Sequence, residues 1–194
     1  LSKLDPLIKK FGDYGMAVIV DNHQDAFARQ FCGEGVPPFY VPDDVDHSCP
    51  WTPVGIAFNL AGHCKSINAY NYETDDNGWP LLSECIKAEF TDYYTSPEVS
   101  DAFDALYSNK NGMLDALVAY WKATSEYFSN NPDVIGYDII NEPYPANFYK
   151  EETLLFETGK FDRTKLFSLH QQCSSSIREV DDNKIVFFEA AQMP

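Results

Sequence analysis

The sequence predicts a parallel α/β fold, on three observations. Short apolar runs rich in β-branched residues recur along the chain, a stretch of helical periodicity stands before each, and each run ends in polar residues. Strands buried on both faces and alternating with amphipathic helices belong to parallel sheets covered by helices. In such folds chemistry sits at the carboxyl ends of the strands.

Leu4, Leu7, Ile8 and Phe11 recur at helical spacing and stop at Gly12 and Gly15, which predicts a helix over 2–11. Met16 to Val20 is the first buried strand and runs straight into Asp21-Asn22-His23-Gln24-Asp25. A second unit has a helix over 113–128, a break at Asn130-Asn131-Pro132, a strand over 134–140 and then Asn141-Glu142-Pro143. A third has a helix over 164–180, a strand over 185–188 and Glu189 at its end. Between the first and second units, residues 26–112 form a long insertion with seven of the twelve prolines, two of the three tryptophans and four of the five cysteines. A connection of that length reads as a functional loop or lid held by cross-links. Three units cannot close a barrel, which takes eight strands and typically ~250 residues. The chain opens in a helix and stops just after a strand, so residues 1–194 are expected to be a fragment of one larger domain.

Composition excludes several classes of partner. Fourteen Lys and Arg stand against 30 Asp and Glu, and the net charge of −16 repels nucleic acid and anionic membrane surfaces. No run approaches the ~20 apolar residues of a membrane-spanning helix. The five cysteines show neither CxxC nor Cys/His ligand spacing, so disulfides in an oxidising compartment are expected, with at least one thiol left over. Cys49 and Cys64 bracket a short segment with Pro53 and Gly55 and are the favoured pair; Cys32 with Cys85, or Cys32 with Cys173, stands beside it.

Of the residues that could carry chemistry, Glu142 stands out. A glutamate at the end of a buried strand can be partly desolvated, which raises its pKa and lets it donate a proton at neutral pH. Asn141 beside it offers an amide to a substrate hydroxyl, although the same tripeptide also fits an ordinary turn. Asp21, His23 and Asp25 alternate and so project to one side, offering fixed donors and acceptors to a polyol or, equally, an oriented structural histidine. His47, His63 and His170 show no ligand spacing, so no metal is expected. Glu189 reads as a nucleophile, a cleft residue or a structural carboxylate, Asp138 as part of a buried polar layer, and Glu34 as a hydrogen-bond partner within the insertion. Trp51, Trp79, Tyr70, Tyr72, Phe58 and Phe39 could stack on sugars, line an apolar channel or hold the insertion together. Trp121 and Tyr127 are expected in the core.

Taken in order, Val20-Asp21-Asn22-His23-Gln24-Asp25-Ala26-Phe27-Ala28-Arg29, then Phe31-Cys32-Gly33-Glu34-Gly35-Val36-Pro37, and later Tyr137-Asp138-Ile139-Ile140-Asn141-Glu142-Pro143, resemble the endoglycoceramidases and related glucosylceramide hydrolases. These belong to glycoside hydrolase family 5, whose fold is the (β/α)8 barrel. The resemblance spans essentially the whole chain, and the Phe31 to Pro37 segment leans towards the eukaryotic branch. It implies that the chain covers the third, fourth and fifth barrel strands and their loops.

It further implies a retaining hydrolysis of the β-linkage between sugar and ceramide, by an acid/base carboxyl and a nucleophilic one. Glu142 matches the acid/base, and Asn141 the residue that binds the 2-hydroxyl of the reacting sugar. Asp21 and His23 match sugar contacts, and Gln24 and Glu189 are expected among the substrate-binding residues with them. The nucleophile should follow the seventh strand, beyond Pro194. Two carboxylates suffice, so no cofactor is expected. The partner is a glycolipid or another β-glycoside, and the compartment extracellular or lysosomal, with any signal peptide outside this chain. Hydrolysis of a β-glucan or steryl glucoside, and non-catalytic binding of sugar or glycolipid, are the rival functions.

Overall fold

A computed structural model describes residues 1–191. Helix α1 (Asp5–Asp13) leads into strand β1 (Val18–Asp21). The connection that follows holds four helices, α2 (Pro53–Leu60), α3 (Leu82–Cys85), α4 (Phe90–Tyr94) and α5 (Pro97–Tyr107). Helix α6 (Met113–Phe128) feeds β2 (Val134–Asp138), and the short α7 (Thr153–Phe156) and then α8 (Phe167–Arg178) lead to β3 (Ile185–Phe187). A π-helical turn at Asp162–Leu166 takes up the first turn of the helix expected from residue 164.

The three strands form one parallel sheet in the order β1-β2-β3. Val20, Tyr137 and Val186 share one register row, and Asp21, Asp138 and Phe187 the next. Helices pack on one face only. Trp121 of α6 is fully buried, stacks edge-on against Tyr137 with ring centroids 5.9 Å apart, and donates its indole N–H to Ile139 O at 2.9 Å. The Tyr137 hydroxyl donates to Asp181 Oδ2 at 2.8 Å, and Asp181 Oδ1 accepts the backbone N–H groups of Asn183 and Lys184. That network sets the turn from which β3 starts.

The opposite face departs from the expectation of strands buried on both sides. Ile19 is 44% exposed and Ile185 52%, and their register partner between them is Gly136. No described helix crosses this face; in a closed barrel the facing strands cover it. Tyr127 is also displaced from the core, at 44% exposure, with its hydroxyl donating to Asp5 Oδ2. Six residues along a helix from Trp121 put it about 120° away round the axis, off the buried stripe. In α1 only Ile8 is buried.

The insertion is more than a loop. Ser96 caps α5, its Oγ accepting the Val99 N–H, and Pro97 opens the helix where a missing N–H costs nothing. Val99, Ala102, Phe103 and Leu106 then bury one stripe, so α5 belongs to the core. The disulfides are Cys49–Cys64 and Cys32–Cys85, with Cys173 a buried free thiol in α8, pushed up to about 12 by burial. Tyr70 and Tyr72 stack at 5.0 Å, the Tyr72 and Tyr93 hydroxyls bond at 2.8 Å, and Phe58 packs on Phe148 and Tyr149. These rings hold the insertion together. Trp79 is half-buried, whereas Phe39 is exposed and Trp51 is 93% exposed. Non-reducing peptide mapping is expected to recover the 49–64 and 32–85 pairs and to alkylate Cys173 only after unfolding; free Cys49 and Cys64 thiols in the native protein would contradict the pairing.

Candidate active site

The polar groups converge where the strands end. Beyond β1 the ladder continues for one more residue, Asn22 N–H donating to Asp138 O at 3.2 Å and Asn141 N–H to Asn22 O at 3.2 Å. This ties the first polar segment to the second. The chain after β1 then folds back through Ala26 and Phe27, both buried and left-handed (φ 45° and 70°), so that Asp25 and Glu34 form an antiparallel bridge. Gly33 is required there, because a Cβ would sit 2.0 Å from Asp25 O.

His23 lies between two carboxylates, Nδ1 2.9 Å from Asp21 Oδ2 and Nε2 3.2 Å from Asp25 Oδ2. The Asp21 hydrogen bond holds the imidazolium and raises its pKa, with the charges of both carboxylates adding to the rise. Burial pushes Asp21 itself up more than His23 pulls it down, and Glu189 adds to that. The Tyr94 hydroxyl donates to the other oxygen of Asp25 at 2.8 Å, fixing the side of the His23 ring that faces the insertion. His23, Asp25 and Glu34 each bring one ligand atom within 4.8 Å of the others, so they could hold a cation. Spacing gives no hint of this group, because Glu34 joins it through the bridge.

Glu142 follows β2 with φ +45°, a left-handed conformation that costs a non-glycine residue on the order of 1–3 kcal/mol and persists only where its surroundings impose it. Its N–H donates to Glu189 Oε2 at 3.0 Å. Glu189 is thus brought beside Glu142, and its own backbone carbonyl lies 3.2 Å from His170 Nε2, a ring whose pKa burial lowers. Gln24, expected to touch substrate, is 1% exposed, and its amide bonds the Asn141 and Glu142 carbonyls and the Phe27 N–H. An apolar cavity of about 440 Å³ adjoins the site; Asn22 and Gln24 reach it, and Phe27, Phe103, Leu117 and Ile140 form much of its wall. The position expected for the nucleophile lies beyond the described residues.

Asp138 pairs with Asp21 in register, and its Oδ1 is buried and unpartnered among the described residues. Burial pushes its carboxyl to about 6, and the charges of Glu189 and Asp21 add to the effect. The folded state therefore binds the proton more tightly than the unfolded chain. Asp138's contribution to stability is full below the ordinary carboxyl value of 3.8 and is lost as pH rises to about 6. Asp138→Asn is expected to raise the thermal midpoint above pH 6 and to leave it unchanged below pH 4. A midpoint difference independent of pH would show that Asp138 does not titrate in this window.

Residues 1–193 match the sequence profile described as Cellulase (glycosyl hydrolase family 5). An endoglycoceramidase of Hydra vulgaris is 32% identical over 186 residues, covering 96% of this chain and 33% of the relative. One from Cyanea nozakii is 31% identical over 189 residues, 97% of this chain and 35% of the relative. The solved structure of endo-glycoceramidase II from Rhodococcus sp. in a ganglioside GM3 complex superposes with a TM-score of 0.66 at 19% identity, covering 96% of this chain and 35% of the other. The chain thus spans about a third of the length of the relatives it matches. Helix-backed parallel strands, polar residues gathered at their carboxyl ends and a profile match from end to end lead to one assignment: the chain belongs to glycosyl hydrolase family 5 and forms part of a (β/α)8 barrel.

Proposed function

We propose that the full-length protein is a retaining β-glycosidase that cleaves the linkage between sugar and ceramide in glycosphingolipids. In this reading β1, β2 and β3 are the third, fourth and fifth barrel strands. Glu142 donates its proton to the glycosidic oxygen as the ceramide alcohol leaves, while a nucleophilic carboxylate from later in the barrel forms the glycosyl-enzyme. Glu142 then takes a proton from the water that releases the sugar. Asn141 binds the 2-hydroxyl, and Asp21 and His23 hold further hydroxyls of the sugar. The reaction needs no cofactor, and the two disulfides suit an extracellular or lysosomal setting.

The observation that carries the reading is Glu142 itself, a glutamate held in a left-handed turn at a strand end beside Asn141, with its N–H on a second carboxylate. The relatives named endoglycoceramidase and the structure titled as a ganglioside complex support the same substrate class. The test is to incubate the full-length protein with a glycosphingolipid, a β-glucan and a steryl glucoside. Release of intact oligosaccharide and ceramide, with the β-anomer appearing first by NMR, is expected. Turnover of only the glucan or the sterol would replace the substrate, and binding without turnover would make the protein a lectin-like relative.

A further inference from the structure

Glu142 is held at both ends of its own backbone by two side chains, from two other strand ends. Its N–H donates to Glu189 Oε2 at 3.0 Å. Its carbonyl accepts from Gln24 Nε2 at 3.1 Å, and the same amide nitrogen donates to the Asn141 carbonyl at 2.9 Å. Gln24 Oε1 accepts the Phe27 N–H at 3.2 Å, and Asn141 Nδ2 donates back to the Gln24 carbonyl at 3.3 Å. Both protons of the Gln24 amide and one lone pair of its oxygen are therefore used. Turning the amide over would set an oxygen against two carbonyls and an NH2 against an N–H, so the orientation is determined by its partners.

We infer that Gln24 and Glu189 are positioning residues that clamp the backbone of Glu142 in its left-handed conformation and so aim its carboxyl at the leaving-group oxygen. The inference rests on the reading of Glu142 as the acid/base. Left-handed φ is disfavoured for glutamate, so without the clamp the turn relaxes towards ordinary φ and the carboxyl swings away. Neither clamp residue needs to touch substrate. Gln24 is buried with both amide protons committed to backbone carbonyls, and the Glu189 oxygen that matters is the one on the Glu142 N–H.

The experiment compares kcat/KM of the full-length protein on a ceramide glycoside and on the 2,4-dinitrophenyl glycoside of the same sugar. The ratio of the two is independent of the fraction of enzyme that folds, and both report the step in which the aglycone leaves. Protonation matters for the first substrate and hardly for the second. Gln24→Met keeps length and removes all three hydrogen bonds; Glu189→Leu removes the acceptor at a half-buried position. Each is expected to lower the ratio about 10- to 100-fold, the cost of a displaced catalytic group. Glu189→Gln retains an acceptor oxygen and should restore most of it. An unchanged ratio in both Gln24→Met and Glu189→Leu, with Glu142→Gln still lowering it, overturns the clamp and leaves the acid/base reading standing. An unchanged ratio in Glu142→Gln overturns both.

Discussion

Glu142→Gln is expected to lower kcat/KM of the full-length protein on a ceramide glycoside about 10²- to 10⁴-fold, the usual contribution of a positioned proton donor. The substitution keeps the side chain's shape and leaves the backbone contacts with Gln24 and Glu189 in place. A dinitrophenol leaves without protonation, so the loss on an activated aryl glycoside should be far smaller in the same step. The second half-reaction also needs Glu142, as base, so the variant should accumulate glycosyl-enzyme on the activated substrate. Azide, which needs no base, should then speed its release. Equal losses on both substrates, with no accumulation, would remove Glu142 from the acid/base role.

Trp121→Ala is expected to destabilise the fold by about 3–5 kcal/mol, the range for deleting a large buried aromatic. The indole is fully buried between α6 and the sheet and lies edge-on to Tyr137. Its N–H is also the partner of the Ile139 carbonyl, two residues before Asn141, so the deletion leaves a buried acceptor unpaired at the base of the turn that carries Glu142. Trp121→Phe should recover most of the packing but not that hydrogen bond. Urea denaturation of the three proteins checks the order, with the midpoint falling from wild type to Phe to Ala. A midpoint for Ala within the error of wild type would show that the α6–sheet interface contributes little.

The helices and strands that matched their sequence reading are those whose periodicity is set by burial against the sheet. Helix α6 runs over the expected 113–128, and the three strands start within two residues of their expected positions. Helix α5 was not legible among the prolines of the insertion, although Ser96-Pro97 is an N-terminal signal and Val99, Ala102, Phe103 and Leu106 form a stripe. Proline density pointed to a loop, whereas Pro97 occupies the one helical turn that accepts it. Helical spacing with Trp121 places Tyr127 in the core, but six residues turn it about 120° round the axis and bring it to the surface.

By itself the sequence determined the parallel α/β class and the family, and it singled out Asp21, His23, Asn141, Glu142 and Glu189 as the residues that could carry chemistry. The class and the residues follow from local pattern, since apolar runs make strands and polar residues directly after them must lie at strand ends; the family follows from the resemblance of the stretches around His23 and Glu142. Only the tertiary structure decided what those residues do to each other. Glu34 and Tyr94 join the His23–Asp25 pair through a bridge and a distant helix. Gln24 bonds the carbonyl of Glu142, and Glu189 accepts the N–H of the same residue. The reason is physical: a hydrogen bond between side chain and backbone across 47 or 118 residues leaves no periodicity in the sequence. Its partners are chosen by the register of adjacent strands and by which buried polar groups would otherwise go unpaired.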